Sequence, residues 1–396
     1  MKDSKNIYRT GLFTNAIIWF GVAISVSEIE AGVQIASAAP INSIWVPLIL
    51  GHVVGGIMLF LVGLIGARLR VNAMESIKST FGNIGSKFFA SLNVLQLIAW
   101  VAVLNAQGAL ALLGLNLGIP FPAICFILAI LVAIWVFIGL QRSSKITSVV
   151  MIVLTVLLIL LSFKLLGFNA YNTLPVKNSL TFWNIFEISI AMPISWLPVI
   201  SDYTKDAQKP VKATAVSAIA YTIASLWMYF IGVEVVGIGT TSISQAILIA
   251  GLGIPGVIIM VLSTVTTNFL ATNSAGESAK AIFNSLDPKV TGVIVSILSA
   301  LLAISGIMDH YINFLYLISS VFGPMAAVLL VSFYFGNDNN NVKDWYWNVF
   351  SWFVGFIVYQ LTVSLDSIFL GPTLLAIISS AILTYIWIIL KKRIDV

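Results

Sequence analysis

Charge, cysteine and histidine are all scarce in this sequence. Charged residues make up 9% of its 396 residues and hydrophobic residues 59%. A water-soluble protein of this length could not cover so much apolar surface, so the composition excludes a soluble protein and predicts a membrane protein. The single cysteine, Cys125, excludes an intramolecular disulfide. His52 and His310 have no companion metal ligands, and no nucleophile stands beside a base, so we expect no enzyme.

Long apolar runs fill most of the chain. Each run is close to the roughly 20 residues that a bilayer requires. They predict twelve membrane spans, at 11–38, 43–66, 86–113, 119–140, 146–166, 183–201, 213–237, 255–275, 289–307, 311–335, 345–365 and 369–390. The sequence therefore predicts an all-α membrane protein that forms a single domain over residues 1–396.

Lysine and arginine are divided unequally between the two sides of this layout. Of the 20 basic residues, 18 fall on one side, and only Lys164 and Lys177 fall on the other. By the positive-inside rule, both termini are predicted to be cytoplasmic. The net charge of +5 is then a property of the cytoplasmic loops, and it predicts no nucleic-acid surface.

Two of the spans are poor candidates for plain helices. Span 1 carries hydroxyl and carboxyl side chains near its middle: Ser25, Ser27, Glu28 and Glu30. Such groups are costly at membrane depth unless they face protein or water. Span 6 contains Pro193 and Pro198, which remove backbone donors and predict an interrupted helix. The alternatives are a simple kink in span 6 and structural carboxylates in span 1, with Glu30 the more structural of the two acids.

The positions of these two spans predict an internal symmetry. Spans 1 and 6 correspond if residues 11–166 and 183–335 are two repeats, with 345–390 adding two further helices. A repeat with an odd number of spans must be inverted relative to the next one. Inverted repeats with discontinuous first helices are typical of secondary transporters that bind their substrate near the bilayer midplane.

Spans 3 and 8 supply polar groups for such a site. In span 3, Asn93, Gln96, Trp100 and Gln107 recur at helical spacing, and an indole in mid-span suits stacking on a flat ring. Span 8 carries a dense hydroxyl and amide run over 263–277, which offers the oxygen ligands that Na⁺ prefers. The alternatives are interhelical hydrogen bonds from Asn and Gln, and hydroxyls bonded to their own helix.

Several short motifs carry a family resemblance. They are Ser27-Glu28-Ile29 in span 1, Ala73-Met74-Glu75-Ser76 in the loop after span 2, Leu92-Asn93-Val94-Leu95-Gln96-Leu97 before Trp100, Ser201-Asp202-Tyr203-Thr204-Lys205 after span 6, and Thr266-Thr267-Asn268 with Ser274-Ala275-Gly276 in span 8. Over essentially its full length the chain resembles the nucleobase-cation-symporter-1 family. Within that family it looks most like the bacterial hydroxymethylpyrimidine transporters of the CytX type.

The resemblance implies a fold and a set of site residues. The implied fold is leucine-transporter-like, with a five-plus-five inverted repeat, two extra C-terminal helices and alternating access. The implied sodium ligands are the Thr266 and Thr267 hydroxyls with the backbone oxygens of Gly21, Ile24 and Ser263. The implied substrate ring lies between two tryptophans, Trp100 and Trp196, and Ser25 makes a polar contact.

The sequence departs from the cytosine transporters of that family in span 8. Those relatives have acidic and amide groups just after Thr-Thr-Asn, where this chain has Phe269-Leu270-Ala271. The departure favours a different heterocycle. We predict that Glu28 accepts from an exocyclic amine or hydroxymethyl group. Ser25, Gln96 and either Thr272 or Asn273 are predicted to contact the remaining polar edge.

These expectations combine into one predicted function. We expect a monomeric symporter of a bacterial inner membrane that imports hydroxymethylpyrimidine, a thiamine precursor, with Na⁺ as the coupling ion and no organic cofactor. A related permease for cytosine, another nucleobase or an amine is the alternative, with a proton carried by Glu28 or Glu187. A channel or a membrane enzyme acting on lipid is the remaining possibility, and neither the pseudo-symmetry nor the scattered titratable groups favour them.

Overall fold

The computed structural model describes residues 9–138, 140–166, 180–336, 342–365 and 369–394, and it leaves out the side chains of 140–148, 342 and 394. Several basic residues that determine the predicted topology therefore lie outside the described residues. They are Lys2, Lys5 and Lys177, together with the side chains of Arg142 and Lys145.

Helices account for almost all of the described chain. They are α1 (Leu12–Ala23), α2 (Val26–Ala38), α3 (Ile41–Leu69), α4 (Ala73–Leu113), α5 (Phe121–Ile138), α6 (Leu140–Leu166), α7 (Phe182–Ser195), α8 (Ile200–Thr204), α9 (Pro210–Gly237), α10 (Ile243–Ile249), α11 (Gly253–Ile282), α12 (Pro288–Ile304), α13 (Tyr311–Phe335), α14 (Val342–Thr362) and α15 (Gly371–Ile394). A 3₁₀ turn, Ile307–His310, leads into α13, and His310 is exposed there.

A helix or a broken pair of helices lies at each of the twelve predicted spans. Within the described ranges, eight helices are long and apolar enough to cross a membrane, or nine when α1 and α2 are counted as one span. The others, among them the 17-residue α12, fall short of that test. The all-helical membrane architecture is confirmed, and the number of twelve spans stays a prediction.

The first span is broken as predicted. Helix α1 ends at Ala23, Ile24 and Ser25 leave helical geometry, and α2 starts at Val26 with a bend of 48°. Ser25 is extended, and its hydroxyl accepts a hydrogen bond from the Glu28 amide, so it acts as the N-cap of α2. A cap of this kind lets a helix restart in the middle of a membrane with one fewer unsatisfied amide.

The sixth span is also interrupted as predicted, although only one of its two prolines lies at the interruption, because Pro193 falls inside α7. Helix α7 ends at Ser195, tight turns cover 196–199, and α8 restarts at Ile200. Pro198 falls inside the turns, where it has no amide to donate. The helical path continues to Thr204, three residues beyond the predicted end of the span at 201.

The prediction of a loop between spans 2 and 3 is wrong, because most of that segment is helical. Helix α4 begins at Ala73, far before the predicted start at residue 86, because Asn72 and Glu75 form a capping box. The helix changes direction at Gly82, whose φ of 70° falls in the left-handed region. The Trp345 ring packs where a Cβ at Gly82 would lie, so both backbone and packing favour glycine there.

The helices pack into one bundle around the two broken spans. Helices α1 and α2 pack against α9, α3 packs against α7 and α9, and α4 packs against α11. Helices α14 and α15 pack against each other and against α13 at the side. The division into two oppositely oriented repeats, 11–166 and 183–335, stays a prediction.

One end of the bundle gathers basic residues and will be called the basic end. There the Thr10 amide donates to the Asp206 carbonyl at 2.9 Å, and the Arg70 guanidinium donates to the Lys205 carbonyl at 3.1 Å. These bonds hold the start of α1, the end of α3 and the end of α8 together. Lys164 lies at the last turn of α6, where the neighbouring Ser162 accepts from Trp227 in the C-terminal half of α9.

Candidate functional site

Three oxygen atoms meet where the first span is broken. The Ser263 hydroxyl donates to the Ile24 carbonyl at 2.9 Å, and the Thr267 hydroxyl lies 3.5 Å from the same carbonyl. Both hydroxyls are on one face of α11 and both are buried. We name this set, formed by the Ile24 carbonyl with the Ser263 and Thr267 hydroxyls, the break oxygen cluster. Hydroxyl and carbonyl oxygens are the ligands that hard cations prefer.

The break also changes the partners of two backbone oxygens. The Ser25 amide donates to Ala23 at 2.9 Å instead of to Gly21, and the Glu28 amide donates to the Ser25 hydroxyl instead of to Ile24. The Gly21 and Ile24 carbonyls thus lose the amides that an unbroken helix would give them. The break thus leaves the Gly21 carbonyl without its helical partner and turns the Ile24 carbonyl toward α11, and the role of both as sodium ligands stays a prediction.

The other two predicted sodium ligands are placed differently from one another. The Thr266 hydroxyl donates to the Leu262 carbonyl of its own helix at 2.7 Å and lies 3.2 Å from the Ser263 carbonyl. Ser263 reaches the break with its hydroxyl, whereas the sequence resemblance assigned its carbonyl to the ion. The assignment of all five atoms to sodium stays a prediction.

The two predicted stacking residues pack on different aromatic partners. Trp100 on α4 is buried and makes edge contacts with Phe314, at a centroid distance of 5.2 Å, and with Tyr311, at 6.3 Å. Trp196 follows the end of α7 and contacts Trp19 edge-on at 6.0 Å. Both indoles are thus fixed by neighbouring rings.

Gln96 joins α4 to the break in the sixth span. Its amide nitrogen donates to the Ser195 carbonyl at 2.9 Å and to the Asn93 side chain at 2.8 Å. Asn93 in turn donates to the Ser278 hydroxyl on α11 at 2.8 Å. This chain of bonds places the face of α4 that carries Trp100 beside both α11 and the residue that precedes Trp196.

Asn268 is a site residue that the predicted set omitted. Its side chain is buried, and its amide nitrogen lies 3.4 Å from the Val101 carbonyl, next to Trp100. The signal was available, since Asn268 directly follows the two threonines of the span 8 motif. It lies between the break oxygen cluster and Thr272 on α11, where it faces α4.

Three buried polar atoms in this region have no hydrogen-bond partner in the structure. They are the Gln96 Oε1, the Trp100 Nε1 and the Asn268 Oδ1. They are three of fifteen such atoms among the described residues, and their residues lie on facing turns of α4 and α11. Buried polar atoms are nearly always paired, so these three are candidates for contact with a bound molecule. Two acceptors and one donor suit a small heterocycle with both amine and ring-nitrogen groups.

The remaining residues predicted to contact the substrate are hydrogen-bonded to other groups of the protein. Glu28 turns toward α9, where Tyr221 donates to Oε1 at 3.1 Å and Ser225 donates to Oε2 at 2.6 Å. The Thr272 hydroxyl donates to the Asn268 carbonyl of its own helix at 2.8 Å. Asn273 is half-buried and lies against the Tyr203 hydroxyl, on the side toward the basic end. Ser25 is occupied as the cap of α2.

Glu30 and Glu187 are the two further acids that the sequence offers as functional groups. Glu30 is half-buried, and it accepts from the Gln34 side chain at 3.2 Å on α2. Glu187 on α7 accepts from the Thr373 amide at 3.0 Å and from its hydroxyl, which ties α7 to the first turn of α15. Both therefore have local partners, and Glu187 stabilises the attachment of a C-terminal helix.

Cavities lie on both sides of the Trp100 level. A cavity of about 620 Å³ at the basic end is lined by polar and charged side chains, among them Asn72, Glu75, Lys78, Lys87, Glu277 and Lys280. A cavity of about 170 Å³ near the other end is lined by residues that include Val26, Glu30, Gln107 and Met308. Lys87 and Gln107 are about 20 residues apart on α4, roughly 30 Å along the helix, with Trp100 between them.

Comparison with known proteins decides the family. A family model for permeases of cytosine/purines, uracil, thiamine and allantoin matches residues 8–354. The chain belongs to this family. It is the nucleobase-cation-symporter-1 family whose motifs the sequence resembled. The cytosine permease of Escherichia coli strain K12 is similar to this permease at 19% identity, over 82% of this chain and 78% of that protein.

Solved transporter structures are similar to this permease along nearly its whole length. Mhp1 in an inward-facing conformation has a TM-score of 0.77 at 21% identity, over 98% of this chain and 92% of Mhp1. A Na⁺-coupled sialic acid symporter in an outward-open state has a TM-score of 0.72 at 16% identity, over 98% of this chain and 91% of that chain. At these identities the likeness concerns the fold, and it supports the predicted leucine-transporter-like architecture.

The family gives this permease a general activity. Its members are transporters of small heterocycles, so this chain is a membrane transporter of nucleobase-like substrates. The unpaired polar atoms of Gln96, Trp100 and Asn268 are compatible with that activity.

Proposed function

We propose that this permease imports hydroxymethylpyrimidine, or a closely related aminopyrimidine, together with Na⁺. The observation that carries the proposal is the set of unpaired polar atoms on Gln96, Trp100 and Asn268 around the broken helices. A pyrimidine with an exocyclic amine offers ring nitrogens to a donor and N–H groups to amide oxygens. A site built to bond such groups discriminates strongly against rings that lack them.

The choice of heterocycle rests on the motifs in the sequence. In the segment where cytosine transporters of the family have acidic and amide groups, this permease has Phe269, Leu270 and Ala271. The Phe269 ring lies 6.4 Å from that of Trp135 on α5, and the Leu270 carbonyl accepts from Tyr203. Recognition in this part of α11 therefore falls on Asn268, because the Thr272 hydroxyl is bonded to its own helix, and this supports a ligand other than cytosine.

Sodium is proposed as the coupling ion because of the break oxygen cluster. An ion at that point would bond oxygens of both α11 and the α1–α2 break, and so would hold the two elements together. A ligand that binds one arrangement of these helices better than another shifts the population toward it. Sodium binding would thereby favour the arrangement in which the pyrimidine also binds.

Uptake into proteoliposomes tests the proposal directly. Radiolabelled hydroxymethylpyrimidine is expected to accumulate when an inward Na⁺ gradient is imposed, and to equilibrate slowly without one. Excess unlabelled hydroxymethylpyrimidine should compete, whereas cytosine and thiamine should compete weakly. Strong competition by cytosine would reassign the permease to a nucleobase, and accumulation driven only by a proton gradient would reassign the coupling ion.

The Thr267→Val substitution tests the sodium site. Valine keeps the shape of threonine but removes one oxygen, and a bond to a charged group contributes about 1.5–3 kcal/mol. The Na⁺ concentration for half-maximal uptake is expected to rise about 10- to 100-fold. Thr214→Val is the matched control, since Thr214 is also buried but bonds only to Pro210 of its own helix. An equal effect of both substitutions would remove Thr267 from the sodium site.

The proposal also includes the setting of the permease. We propose that it works as a monomer in a bacterial inner membrane, with both termini in the cytoplasm. The basic end would then face the cytoplasm, and its cavity of about 620 Å³ would be the route of substrate release. Accessibility labelling of a cysteine introduced at Ser285, which lines that cavity, would report its side.

A further inference from the structure

A buried chain of hydrogen bonds runs from Glu28 into the bundle, away from the substrate region. Ser225 donates to Glu28 Oε2 at 2.6 Å, and the Ser225 oxygen lies 2.7 Å from His52 Nε2. His52 Nδ1 lies 2.6 Å from the Ser189 oxygen and 3.1 Å from the Leu48 carbonyl, to which Ser189 donates at 2.6 Å. All four side chains are buried, with at most 3% of their surface exposed.

We propose that Glu28, Ser225, His52 and Ser189 form a binding site for one exchangeable proton, which we call the proton relay. The inference rests on the proposed transport function, because it assigns the site a role in the transport cycle. The Ser225 hydroxyl lies between a carboxylic acid and an imidazole. The geometry of the donors and acceptors carries the proposal.

The relay is fully bonded when it holds the proton. A serine hydroxyl donates one hydrogen. If Ser225 donates that hydrogen to Glu28, its oxygen is left to accept a hydrogen bond from a protonated Nε2 of His52. If the proton lies on Glu28 instead, Glu28 donates to Ser225 and Ser225 donates to Nε2. In both arrangements the Nδ1 proton of His52 is donated to Ser189, which donates to Leu48. The two arrangements differ only by a proton shift through Ser225.

The relay is also fully bonded after the proton leaves. Glu28 is then a carboxylate that accepts from Ser225, and Ser225 accepts from the Nε2 proton of a neutral His52. Nδ1 becomes an acceptor, and the Ser189 hydroxyl rotates from the Leu48 carbonyl to donate to it. A site whose polar atoms are paired at both proton counts is suited to bind and release a proton, because neither state leaves an unpaired buried group.

A cavity lies on the side of α2 that faces away from Ser225 and His52. Val26 and Glu30, which flank Glu28 on α2, line the cavity of about 170 Å³. Residues two apart on a helix point to opposite sides, so these two face the cavity while Glu28 faces α9. The basic end is far from this cavity along α4, and the proposal places proton exchange on the side of the membrane opposite the basic end.

Other ionisable side chains surround the relay and are already bonded. Tyr221 on α9 donates to Glu28, Tyr229 on α9 donates to Ile188 at 3.3 Å, and Tyr311 on α13 donates to Ser27 at 3.2 Å. Glu30 on α2 and Glu187 on α7 have partners in Gln34 and Thr373. The exchangeable proton therefore belongs to the Glu28 and His52 ends of the chain.

The position of the relay connects it to the moving parts of a transporter. It joins α2, which follows the first break, to α7, which precedes the second, by way of α3 and α9. Loss of the proton leaves one net negative charge among these four helices. We expect the proton-bound relay to be the state that completes the transport cycle, since an uncompensated charge in the bundle is unfavourable.

The histidine content of the chain makes the test unusually direct. The sequence has two histidines, His52 in the relay and His310 in an exposed turn. Purified permease with ¹⁵N-labelled histidine, in lipid nanodiscs without substrate, should show both rings by NMR between about pH 5 and pH 8. We expect Nδ1 of His52 to lose its proton in a transition of its own, with His310 as the internal reference.

A pair of serine substitutions on α9 separates the relay from general packing. Ser225→Ala cuts the connection between Glu28 and His52, and His52 should then keep one protonation pattern over the whole pH range. Ser217→Ala, two turns away, removes a buried hydroxyl that bonds only to Ala213 of its own helix, and it should titrate like the wild type. Ser189→Ala should abolish the change at Nδ1, because it removes the donor that replaces the lost proton.

Uptake measurements then test the role in transport. At a fixed Na⁺ gradient and clamped membrane voltage, uptake should fall by about tenfold for each pH unit above the transition, as a one-proton requirement demands. Ser225→Ala should flatten this profile, and Ser217→Ala should preserve it. An unchanged Nδ1 signal in the wild type, or a wild-type titration in Ser225→Ala, would overturn the relay. If the NMR transition is present but no pyrimidine is transported, the relay stands and the proposed function fails.

Discussion

Alanine in place of Trp100 is expected to weaken pyrimidine binding by about 5- to 150-fold. Stacking of a flat base on an aromatic side chain contributes about 1–3 kcal/mol, and alanine removes the whole ring. Trp100 also supplies the one unpaired donor of the candidate site, its Nε1, so the substrate loses a hydrogen bond as well. The dissociation constant from equilibrium binding of labelled hydroxymethylpyrimidine measures the effect.

Two further variants separate recognition from packing. Trp100→Phe keeps an aromatic face for stacking but has no N–H donor, so its loss should be smaller than that of alanine. Trp352→Ala truncates a buried tryptophan on α14, where the ring packs on Phe89 and donates to the Val321 carbonyl. If Trp352→Ala weakened binding as much as Trp100→Ala, the effect would be one of stability, and Trp100 would lose its proposed role.

The breaks in the first and sixth spans were predictable because their causes are local. Proline lacks an amide wherever it stands, so Pro193 and Pro198 predict an interruption without any knowledge of the neighbouring helices. Hydroxyl and carboxyl groups in the middle of span 1 predict the same by their desolvation cost. The capping box at Asn72 and Glu75 is also local, and it could have predicted the early start of α4.

The direction in which each polar side chain points was not predictable in the same way. Nearly every position of these helices is apolar, so periodicity does not define which face meets another helix. Glu28 was assigned to the substrate from its distance to the break, whereas its partners Tyr221 and Ser225 are more than 190 residues away in sequence. His52 is buried and bonded on both ring nitrogens, but no sequence pattern indicates Ser189 or Ser225 as its partners.

The candidate site could be predicted from the sequence only in part. Gln96, Trp100 and Asn268 fall on facing turns of α4 and α11, and the motifs that contain them are visible in the sequence. Their unpaired atoms are not visible there, because pairing depends on the packing of helices that are far apart in the chain. The sequence therefore located the region of the site, and packing decided which of its polar groups are available to a ligand.

Substitution of Gly232 is expected to have the largest effect on stability. Helices α2 and α9 approach so closely that a Cβ at Gly232 would overlap the Ile29 carbonyl and lie 2.8 Å from the Gly32 Cα. Backbone atoms cannot move aside as a side chain can, and small residues at helix contacts are a main source of packing in membranes. Gly232→Ala should cost about 1–3 kcal/mol by overpacking, and Gly232→Val should prevent recovery of monodisperse protein.

Gly253 provides the matched control for this prediction. It starts α11 with no atom near its missing Cβ, so Gly253→Ala should leave the thermal unfolding midpoint unchanged or slightly raised. A wild-type midpoint in Gly232→Ala would mean that α2 and α9 are further apart than described. The contact between α2 and α9 also sets the distance between Glu28 and Ser225 in the proton relay. Glu28 is on α2, and Ser225 lies two turns from Gly232 on α9. Gly232→Ala should therefore also lengthen the Ser225–Glu28 bond and weaken the pH dependence of uptake, whereas Gly253→Ala should change neither.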